Sequence, residues 1–405
     1  MIIGIDASRA NVREKTGTEW YSWHLVRALA PKLRQHTVRL YVREPLEPGL
    51  QNLGPQVEVR VLSWRLGLLW SHLRLSWELL CHPPDLLFVP ADTVPLWHPR
   101  RTVTTIHDVG FERWPALYRG KSVQRRLGWL RPMVHLAVRI FTLGRYSASE
   151  RDYHRWSVRH ALRSSPIILT VSEFSKQEIV ATLGTDPARI IVTPPGVRQP
   201  ASLTELTPAK LTEVQRRAKV TRPYFLFIGR LEQKKNIGLL LDSYVAYRRL
   251  VAQPADLVLL GTPGFGWDEA AAKMPAAGHQ SIHQLGWVEE DDRWCWQAGA
   301  RAFVFLSSYE GFGLPPLESF SAGVPVVASR AGSLPEVLGD GALLTDSHDP
   351  QVVAQLLASI DQDEQLRQNL VKRGLVQVQK YTWDHTAALT MTAFGRLLPG
   401  LVRDE

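Results

Sequence analysis

The chain has 405 residues, which is too long for one compact core and suits two domains of roughly 200 residues each. It is 45% hydrophobic and 21% charged, a composition that excludes a disordered or collagen-like chain. The only cysteines are Cys81 and Cys295, which excludes a disulfide-stapled secreted scaffold and a four-cysteine zinc site.

The net charge of +9 is distributed unevenly along the chain. Residues 1–200 hold 28 Lys and Arg against 16 Asp and Glu, whereas residues 201–405 hold 20 against 23. Eleven of the basic residues fall in 119–163, where apolar residues lie between them and only Glu150 and Asp152 are acidic. Such a basic amphipathic stretch fits an anionic membrane surface or a phosphorylated acceptor, with a solvated helix face as the alternative. No recognised nucleic-acid motif accompanies the charge, so we expect no nucleic-acid partner.

The amino-terminal segment MIIGIDASRA carries Asp6 and is typical of a strand, not of a signal peptide. No uncharged apolar run reaches the ~18 residues that a membrane-spanning helix needs. We therefore expect a soluble cytoplasmic protein that can associate with the inner face of the cell membrane through its basic segment.

Short apolar runs that end at turn residues alternate with helical stretches along the chain. The strands predicted in the first half are 1–6, 38–42, 86–90, 102–106, 167–172 and 190–196. Those predicted in the second half are 224–229, 256–261, 281–286, 302–307, 324–329 and 341–345. Two such series indicate two doubly wound α/β domains. We place the domains at 1–196 and 197–380, followed by an amphipathic C-terminal helix within 381–405.

In open α/β sheets, ligands bind beyond the carboxyl ends of the strands. The strand YFLFIG runs into Gly229, which favours a tight turn, and then into Arg230 and Lys235. Two cations there can meet the charge of a pyrophosphate through charge-assisted hydrogen bonds. Taken alone, this pair of cations is weak evidence for a pyrophosphate site, because solvated cations are common at strand ends.

The strand AFVFLS is followed by SYEGFGLPPLE, in which Glu310 and Glu318 bracket a loop rich in glycine and proline. We expect a helix to start near Pro315 or Pro316, because proline suits the first helical turn. Amides of that turn and of the loop then form an anion site, and the two carboxylates suit sugar and ribose hydroxyls. A helix start that simply favours acids would explain Glu318 but not the loop.

Together these motifs resemble the retaining glycosyltransferases of family 4, which have the GT-B fold. EGFGLPPLE matches the E-x7-E signature of that family, and GRLEQKKN matches the motif that precedes it. The segments TGTEWYSWHLVRAL (16–29), TIHDVGF (105–111), LTVSEFSKQEI (169–179) and 285–337 are also similar to the family. The resemblance covers almost the whole chain. It implies two Rossmann-like domains that face each other across a cleft, with a nucleotide-sugar donor on the C-terminal domain.

The resemblance also implies roles for individual residues of the C-terminal domain. Arg230 and Lys235 would bind the diphosphate, Glu310 would contact the donor sugar, and Glu318 would hold the ribose hydroxyls. The other donor-side residues that it implies are Gly229, Gly311, Phe312, Gly313 and Leu314 around the sugar and phosphate, and Trp287 and Val288 beside the base. A role in the core is the alternative for the tryptophan.

In the N-terminal domain, the resemblance places Gly17 and Thr18 near the diphosphate. It places His107 and Asp108 near the anomeric carbon and the acceptor hydroxyl. Considered singly, His107 has the alternative of a satisfied buried histidine. Many relatives carry a Gly-Ile-Gly type loop where this chain continues with Glu19, whose charge would repel a diphosphate. We therefore expect the Glu19 side chain to turn away.

The resemblance implies an enzyme that moves a hexosyl group from a GDP- or UDP-sugar to a hydroxyl of a glycan or lipid-linked acceptor. The anomeric configuration would be retained, and the product would be a cell-surface polysaccharide or glycolipid. The residues expected to carry catalysis are His107, Arg230, Lys235 and Glu310. Two alternatives are an epimerase of sugar nucleotides with the same fold and a non-catalytic subunit that binds a sugar nucleotide.

No metal or other cofactor is expected, because the D-x-D pattern of Asp361 and Asp363 precedes a helix and is typical of a cap. The segment between Tyr118 and Ile167 is longer than in relatives, and we interpret it as an acceptor-specific insertion. Trp114 and Trp129 are candidates for contacts with the acceptor. Helical spacing predicts a place in the core for four apolar residues, Trp70, Leu73, Trp77 and Leu80.

Overall fold

The computed structural model describes residues 1–64, 70–118, 150–198, 207–272 and 280–401. The chain divides into two compact units. The first unit comprises Met1–Pro115, Lys121–Gly196 and Thr382–Glu405, and the second comprises Ala116–Gly120 and Val197–Tyr381. Most of the basic segment 119–163, including Trp129, lies outside the described residues.

Within the described part of the first unit, seven parallel strands form one sheet. They are β1 (Ile2–Asp6), β2 (Thr37–Val42), β3 (Val57–Val61), β4 (Leu86–Val89), β5 (Thr102–Ile106), β6 (Ile167–Thr170) and β7 (Ile190–Val192). Their order across the sheet is β3-β2-β1-β4-β5-β6-β7. The central strands are buried on both faces, which explains their nearly continuous apolar sequences.

The second unit contains a parallel sheet of six strands in its described residues. They are β8 (Tyr224–Ile228), β9 (Asp256–Leu260), β10 (Ile282–Gly286), β11 (Ala302–Phe305), β12 (Val326–Ser329) and β13 (Ala342–Thr345). The order is β10-β9-β8-β11-β12-β13, so the strand order reverses between β8 and β11. Such a reversal is where doubly wound sheets leave a crevice at the carboxyl ends of the strands.

Helices connect the strands and cover both sheets. In chain order the described α-helices are α1 (Gly17–Leu29), α2 (Ser76–Cys81), α3 (Gly110–Arg113), α4 (Glu150–Ser164), α5 (Glu173–Leu183), α6 (Pro208–Arg217), α7 (Ile237–Tyr247), α8 (Trp267–Ala272), α9 (Glu290–Ala298), α10 (Leu314–Ser321), α11 (Leu334–Leu338), α12 (Pro350–Gln362), α13 (Glu364–Val378) and α14 (Trp383–Leu397). None of them has the length and apolarity that crossing a membrane requires.

The fold class predicted from the sequence is confirmed, and each predicted strand is present with ends that differ by a few residues. Strand β3 is the exception, because it was not among the predicted strands. Apolar and charged residues alternate in its sequence, VEVRV, and Val59 and Val61 are exposed at the edge of the sheet. A search for buried apolar runs therefore passes over it.

The predicted core position is wrong for three of the four apolar residues between 70 and 80. Trp70 is buried, whereas Leu73, Trp77 and Leu80 are 44%, 65% and 50% exposed. Residues Trp70–Leu75 form a π-helical turn that leads directly into α2. A π turn holds more residues than an α turn, so Trp70 no longer shares a face with the three residues that follow.

Helix α14 belongs to the first unit, although it lies at the C-terminal end of the chain. The Phe394 ring packs edge-on against Phe88 of β4, with the ring centroids 5.4 Å apart. The Thr386 hydroxyl donates a hydrogen bond of 2.6 Å to the carbonyl of Pro194. These contacts make the last helix part of the first hydrophobic core.

Two glycines allow the ends of β8 and β9 to approach closely. Gly229 and Gly261 have φ values of +147° and +146°, a region that favours glycine. A Cβ atom on Gly261 would lie 1.9 Å from the carbonyl oxygen of Gly229. The turn that carries Arg230 therefore depends on the absence of a side chain at Gly261.

We expect Gly261→Ala to lower the free energy of unfolding by about 3 kcal/mol, because the added methyl group overlaps backbone and the dihedral angle is strained. Thermal unfolding followed by circular dichroism measures the loss. Gly238→Ala in α7 is the matched control, since its Cβ would meet no atom within 4 Å. We expect that variant to be as stable as the wild type or more stable. Equal melting temperatures for both variants would contradict the role given to Gly261.

Candidate active site

Lys235 and Glu310 form an ion pair in the second unit. Lys235 ends a 3₁₀ turn after β8, and Glu310 lies in the loop after β11. The Lys235 Nζ lies 2.5 Å from the Glu310 Oε1, and the two side chains are 17% and 11% exposed. The Ser307 hydroxyl donates to the same carboxylate oxygen. Residues 75 positions apart thus meet at the carboxyl ends of two neighbouring strands.

This pair suits a site that receives an anion. A lysine ammonium group has three N–H donors, so Lys235 can hold Glu310 and also donate to a phosphate oxygen. The attraction between the two charges offsets part of the cost of removing them from water. Arg230 is more exposed than Lys235. Its side chain is 59% exposed, and its Nε is 3.8 Å from the Glu232 carboxylate.

The backbone around Glu310 is fixed by the loop that follows β12. The Ser333 N–H donates a hydrogen bond of 3.1 Å to the Glu310 carbonyl, and the Ser333 hydroxyl bonds to the carbonyls of Glu310 and Phe312. A Cβ atom on Gly332 would lie 2.5 Å from the Glu310 carbonyl oxygen. Phe312 itself is buried and packs edge-on against Tyr381. The loop therefore positions Glu310 through its main chain.

The prediction of a helix that starts near Pro315 or Pro316, with proline in its first turn, is confirmed. Helix α10 begins at Leu314, and the prolines occupy its second and third positions. Gly313 is the N-cap, and its φ of +100° favours glycine. Because proline has no N–H, the first turn supplies fewer donors than a typical helix start. An anion here would be bound mainly by the amides of residues 311–314.

Glu318 is held by an arginine that the sequence analysis missed. The Arg293 guanidinium donates to both Glu318 oxygens, at 2.7 and 2.9 Å, and it also donates to Glu290. Burial alone would lower the pKa of Arg293, but the adjacent carboxylates raise it well above its usual value. A carboxylate has about four acceptor positions, so Glu318 can still accept bonds from two hydroxyls. The sequence gives one indication of this contact, namely that Arg293 directly follows the acidic run 289–292.

Trp287 and Val288 follow the carboxyl end of β10, the outermost strand on one side of the second sheet. The Trp287 side chain is 55% exposed, so the alternative role in the core is wrong. Gly286 before it has a φ of +70° and turns the chain out of the strand. The indole ring therefore offers a flat surface on which a base can stack.

His107 and Asp108 lie directly after β5 in the first unit. The His107 Nε2 is 3.2 Å from the Pro90 carbonyl oxygen, so it donates, and we infer that a neutral ring has its lone pair on Nδ1. Burial lowers the pKa of His107, and the bond to Pro90 offsets part of that effect. The ring also packs edge-on against Tyr21 of α1. Asp108 Oδ1 accepts a hydrogen bond of 2.9 Å from the Gly110 N–H.

Gly17 and Thr18 form the start of α1. A Cβ atom on Gly17 would meet no atom within 4 Å, so the space beside this residue is open. The Glu19 side chain turns back, as expected. One of its oxygens accepts a bond of 3.2 Å from the Thr16 N–H, and the other lies 3.2 Å from Arg9. Its charge is thereby compensated within the first unit.

A further polar cluster at the same sheet edge was not predicted. Asp6 ends β1, and its Oδ2 is buried without a hydrogen-bond partner among the described residues. Burial raises the pKa of Asp6, and the nearby charges of Arg43 and Arg9 act in the opposite direction. Asp92 follows β4 and lies 3.7 Å from His154. Each of these acids comes at or just after a strand end, which is the signal that could have found them.

Two other predictions concern the acceptor and a metal. Trp114 is 51% exposed at the end of α3. Asp363 caps α13 by accepting from the Leu366 N–H, while Asp361 accepts from Tyr247 and Arg301. The D-x-D pattern thus belongs to a helix junction. No group of three His, Cys, Asp or Glu side chains suited to a metal ion occurs in the described ranges. The absence of a cofactor stays a prediction.

The two units match different parts of one type of enzyme. Residues 210–376 match the family described as glycosyl transferases group 1, and residues 15–199 match Glycosyltransferase Family 4. O-antigen chain mannosyltransferase B from Escherichia coli is 32% identical over 307 residues, which cover 74% of this chain and 78% of that protein. The chain belongs to glycosyltransferase family 4.

Other similar proteins agree with this assignment. Serotype-specific mannosyltransferase WbdA from Escherichia coli is 26% identical over 234 residues, which cover 57% of this chain but only 29% of that protein. The crystal structure of HepE from Anabaena, in complex with UDP and glucose, has a TM-score of 0.65 at 17% identity. The superposition covers 96% of this chain and 99% of the HepE chain. The family 4 chain therefore has the GT-B fold.

We expect Arg293→Met to lower the stability of the family 4 enzyme by about 3 kcal/mol, because it leaves the Glu318 carboxylate buried without its cation. Chemical denaturation measures the change, and calorimetric titration with UDP and GDP tests for a parallel loss of nucleotide affinity. Arg216→Met is the matched control, since Arg216 makes the same two-bond contact with Glu213 on the surface. That variant should unfold like the wild type. An Arg293→Met variant of unchanged stability would contradict the buried clamp.

We expect His107 to stay neutral at pH values where an ordinary histidine is protonated, because burial lowers its pKa. In the unfolded chain the ring titrates near its usual value of about 6.5. The unfolded state therefore binds the proton first as the pH falls below that value, and His107 makes the fold less stable there. NMR titration of the ring, assigned with His107→Gln and compared with the urea-unfolded chain, measures the shift. An equal or higher pKa in the folded protein would refute it.

Proposed function

We propose that this family 4 glycosyltransferase moves a hexosyl group from a nucleotide diphosphate sugar to a hydroxyl group of a glycan or a lipid-linked acceptor. The anomeric configuration would be retained. The observation that carries the proposal is the ion pair of Lys235 and Glu310 beside the amides of residues 311–314. A cation, a carboxylate and a row of main-chain donors at one strand end suit a sugar diphosphate.

The charges at this strand end support the following course for the proposed reaction. The bond between the anomeric carbon and the diphosphate oxygen breaks, and the acceptor oxygen forms a bond to the same carbon on the same face. Lys235 and Arg230 stabilise the negative charge that develops on the leaving diphosphate. A phosphate oxygen of the leaving group takes the proton of the acceptor hydroxyl, so no protein carboxylate has to act as the base.

Two further residues have proposed roles in the donor complex. Glu318, oriented by Arg293, would accept bonds from the ribose hydroxyls with the positions that the guanidinium leaves open. Trp287 would stack against the base. In the first unit, His107 would approach the anomeric centre as a neutral ring, so it would add no positive charge beside a forming oxocarbenium ion.

The names of the relatives support a narrower choice of donor. Both Escherichia coli relatives are described as mannosyltransferases, so GDP-mannose is the first donor to test. HepE was solved with UDP and glucose, which keeps UDP-glucose in the panel. The excess of basic residues in 1–200 supports an anionic acceptor, such as a lipid-linked glycan at the inner face of the membrane.

We expect Lys235→Ala and Arg230→Ala each to reduce the turnover number more than 100-fold, because about 3 kcal/mol of stabilisation of the leaving group is lost. Transfer assays with the donor identified below measure the change. Lys372→Ala, an exposed lysine of α13, is the control and should retain full activity. Turnover within twofold of the wild type for both site variants would overturn the assignment.

A donor panel separates the remaining alternatives. Thermal shift with GDP-mannose, UDP-glucose and UDP-GlcNAc identifies the ligand, since saturation at 100 times the Kd adds about 2.7 kcal/mol. NMR of the product then reports the anomeric configuration. Isomerisation of the donor without acceptor would favour an epimerase, and tight binding without transfer or hydrolysis would favour a non-catalytic subunit. Activity that a chelator abolishes and manganese restores would contradict the absence of a metal.

A further inference from the structure

Five large apolar side chains of the first unit are exposed on neighbouring segments. Leu73, Trp77 and Leu80 are 44%, 65% and 50% exposed on the outer face of the helical segment 70–81. Leu96 and Trp97 are 51% and 38% exposed in the loop before β5. We call these five residues the Trp77 patch.

Two hydrogen bonds donated by main-chain N–H groups of the loop hold the two segments side by side. The Leu96 N–H donates to the His72 carbonyl at 3.4 Å, and the Trp97 N–H donates to the Ser76 hydroxyl at 3.0 Å. His72 and Ser76 directly precede Leu73 and Trp77 of the patch. The loop therefore follows the helix for one turn, and the exposed residues of both form one surface.

Within the described residues, the packing of the first unit does not account for this surface. The inner face of the same helical segment already packs into the core through Trp70, Leu75 and Leu79. Single exposed apolar residues are common on soluble proteins, but a group of five with two tryptophans marks an interaction surface. Tryptophan is the residue that favours the boundary between hydrocarbon and water, since its ring is apolar and its N–H is polar.

Two exposed arginines and one exposed acid flank the patch, and the acid, Asp85, accepts a hydrogen bond of 2.7 Å from the Ile2 N–H. Arg100 and Arg101 are exposed and follow Trp97 after two residues. The nearest acid on the helix is Glu78, which is buried and lies 3.5 Å from Arg74 and 3.2 Å from His82. Its charge is thus compensated, and the patch carries exposed cations at one end.

We propose that the Trp77 patch docks this protein on the surface of a bilayer that contains anionic lipids. The tryptophans would lie at the level of the head groups, the leucines just below them, and Arg100 and Arg101 against lipid phosphates. Positive charge attracts such a surface, whereas it would repel a second copy of the same patch. The docking does not depend on which donor or acceptor the enzyme uses, and it involves residues outside the basic segment 119–163.

Sedimentation with vesicles tests the proposal. The full chain should bind vesicles of phosphatidylcholine and phosphatidylglycerol more strongly than vesicles of phosphatidylcholine alone. Leu73→Gln/Trp77→Gln should reduce the partition coefficient at least about tenfold, because two apolar contacts with the bilayer are lost. Arg100→Ser/Arg101→Ser should remove most of the preference for the anionic vesicles. Melting temperatures equal to that of the wild type would establish that the variants are folded.

Leu375→Gln/Val376→Gln is the matched control, since these residues are exposed in α13 of the second unit, at 40% and 63%. It should bind vesicles like the wild type. Unchanged vesicle binding of Leu73→Gln/Trp77→Gln would overturn the proposal. If vesicle binding were lost instead in Arg125→Ser/Arg126→Ser/Arg131→Ser, the basic segment would be the membrane contact, which would also overturn it. A dimer in sedimentation velocity that only Leu73→Gln/Trp77→Gln abolishes, without vesicle binding, would identify a second copy as the occupant and also overturn it.

Discussion

The contact between Lys235 and Glu310 joins two loops at the carboxyl edge of the second sheet, and the candidate active site is built around it. It forms because β8 and β11 are neighbours at the point where the strand order reverses, so the loops after both strands open at one place. A partly buried carboxylate without a cation would be costly, so the pair stabilises the loops of this site. In the donor complex that we propose, the same two side chains would meet the diphosphate and the sugar.

The two acids of the E-x7-E signature are each supported by a dedicated partner, but in different ways. Glu310 is held by Lys235 at its side chain and by Ser333 at its main chain. Glu318 is held by both arms of the Arg293 guanidinium. A lysine can turn its donors toward a second ligand, whereas a forked guanidinium fixes a direction. In the donor complex that we propose, this arrangement would combine one adaptable contact near the reacting bond with one rigid contact farther along the donor.

The sequence was sufficient for the fold class and for most strands, because buried parallel strands are continuous apolar runs. It was insufficient for β3, whose alternating pattern belongs to an edge, and for the helix around Trp77, where spacing alone cannot reveal a π turn. The motif residues of the site came from the resemblance to the family. The resemblance did not reveal Arg293 and Ser333, the residues that hold the two acids in place. These residues act through contacts between distant segments, and such contacts leave no local pattern in the sequence.

The π-helical turn at residues 70–75 has a consequence for how this surface can change. Compared with an α-helix, such a turn accommodates an additional residue at nearly the same total rotation. Deleting one residue there would convert the π turn into an α turn and leave the indole of Trp77 facing outward. The exposed surface therefore tolerates a change of one residue in length within this turn.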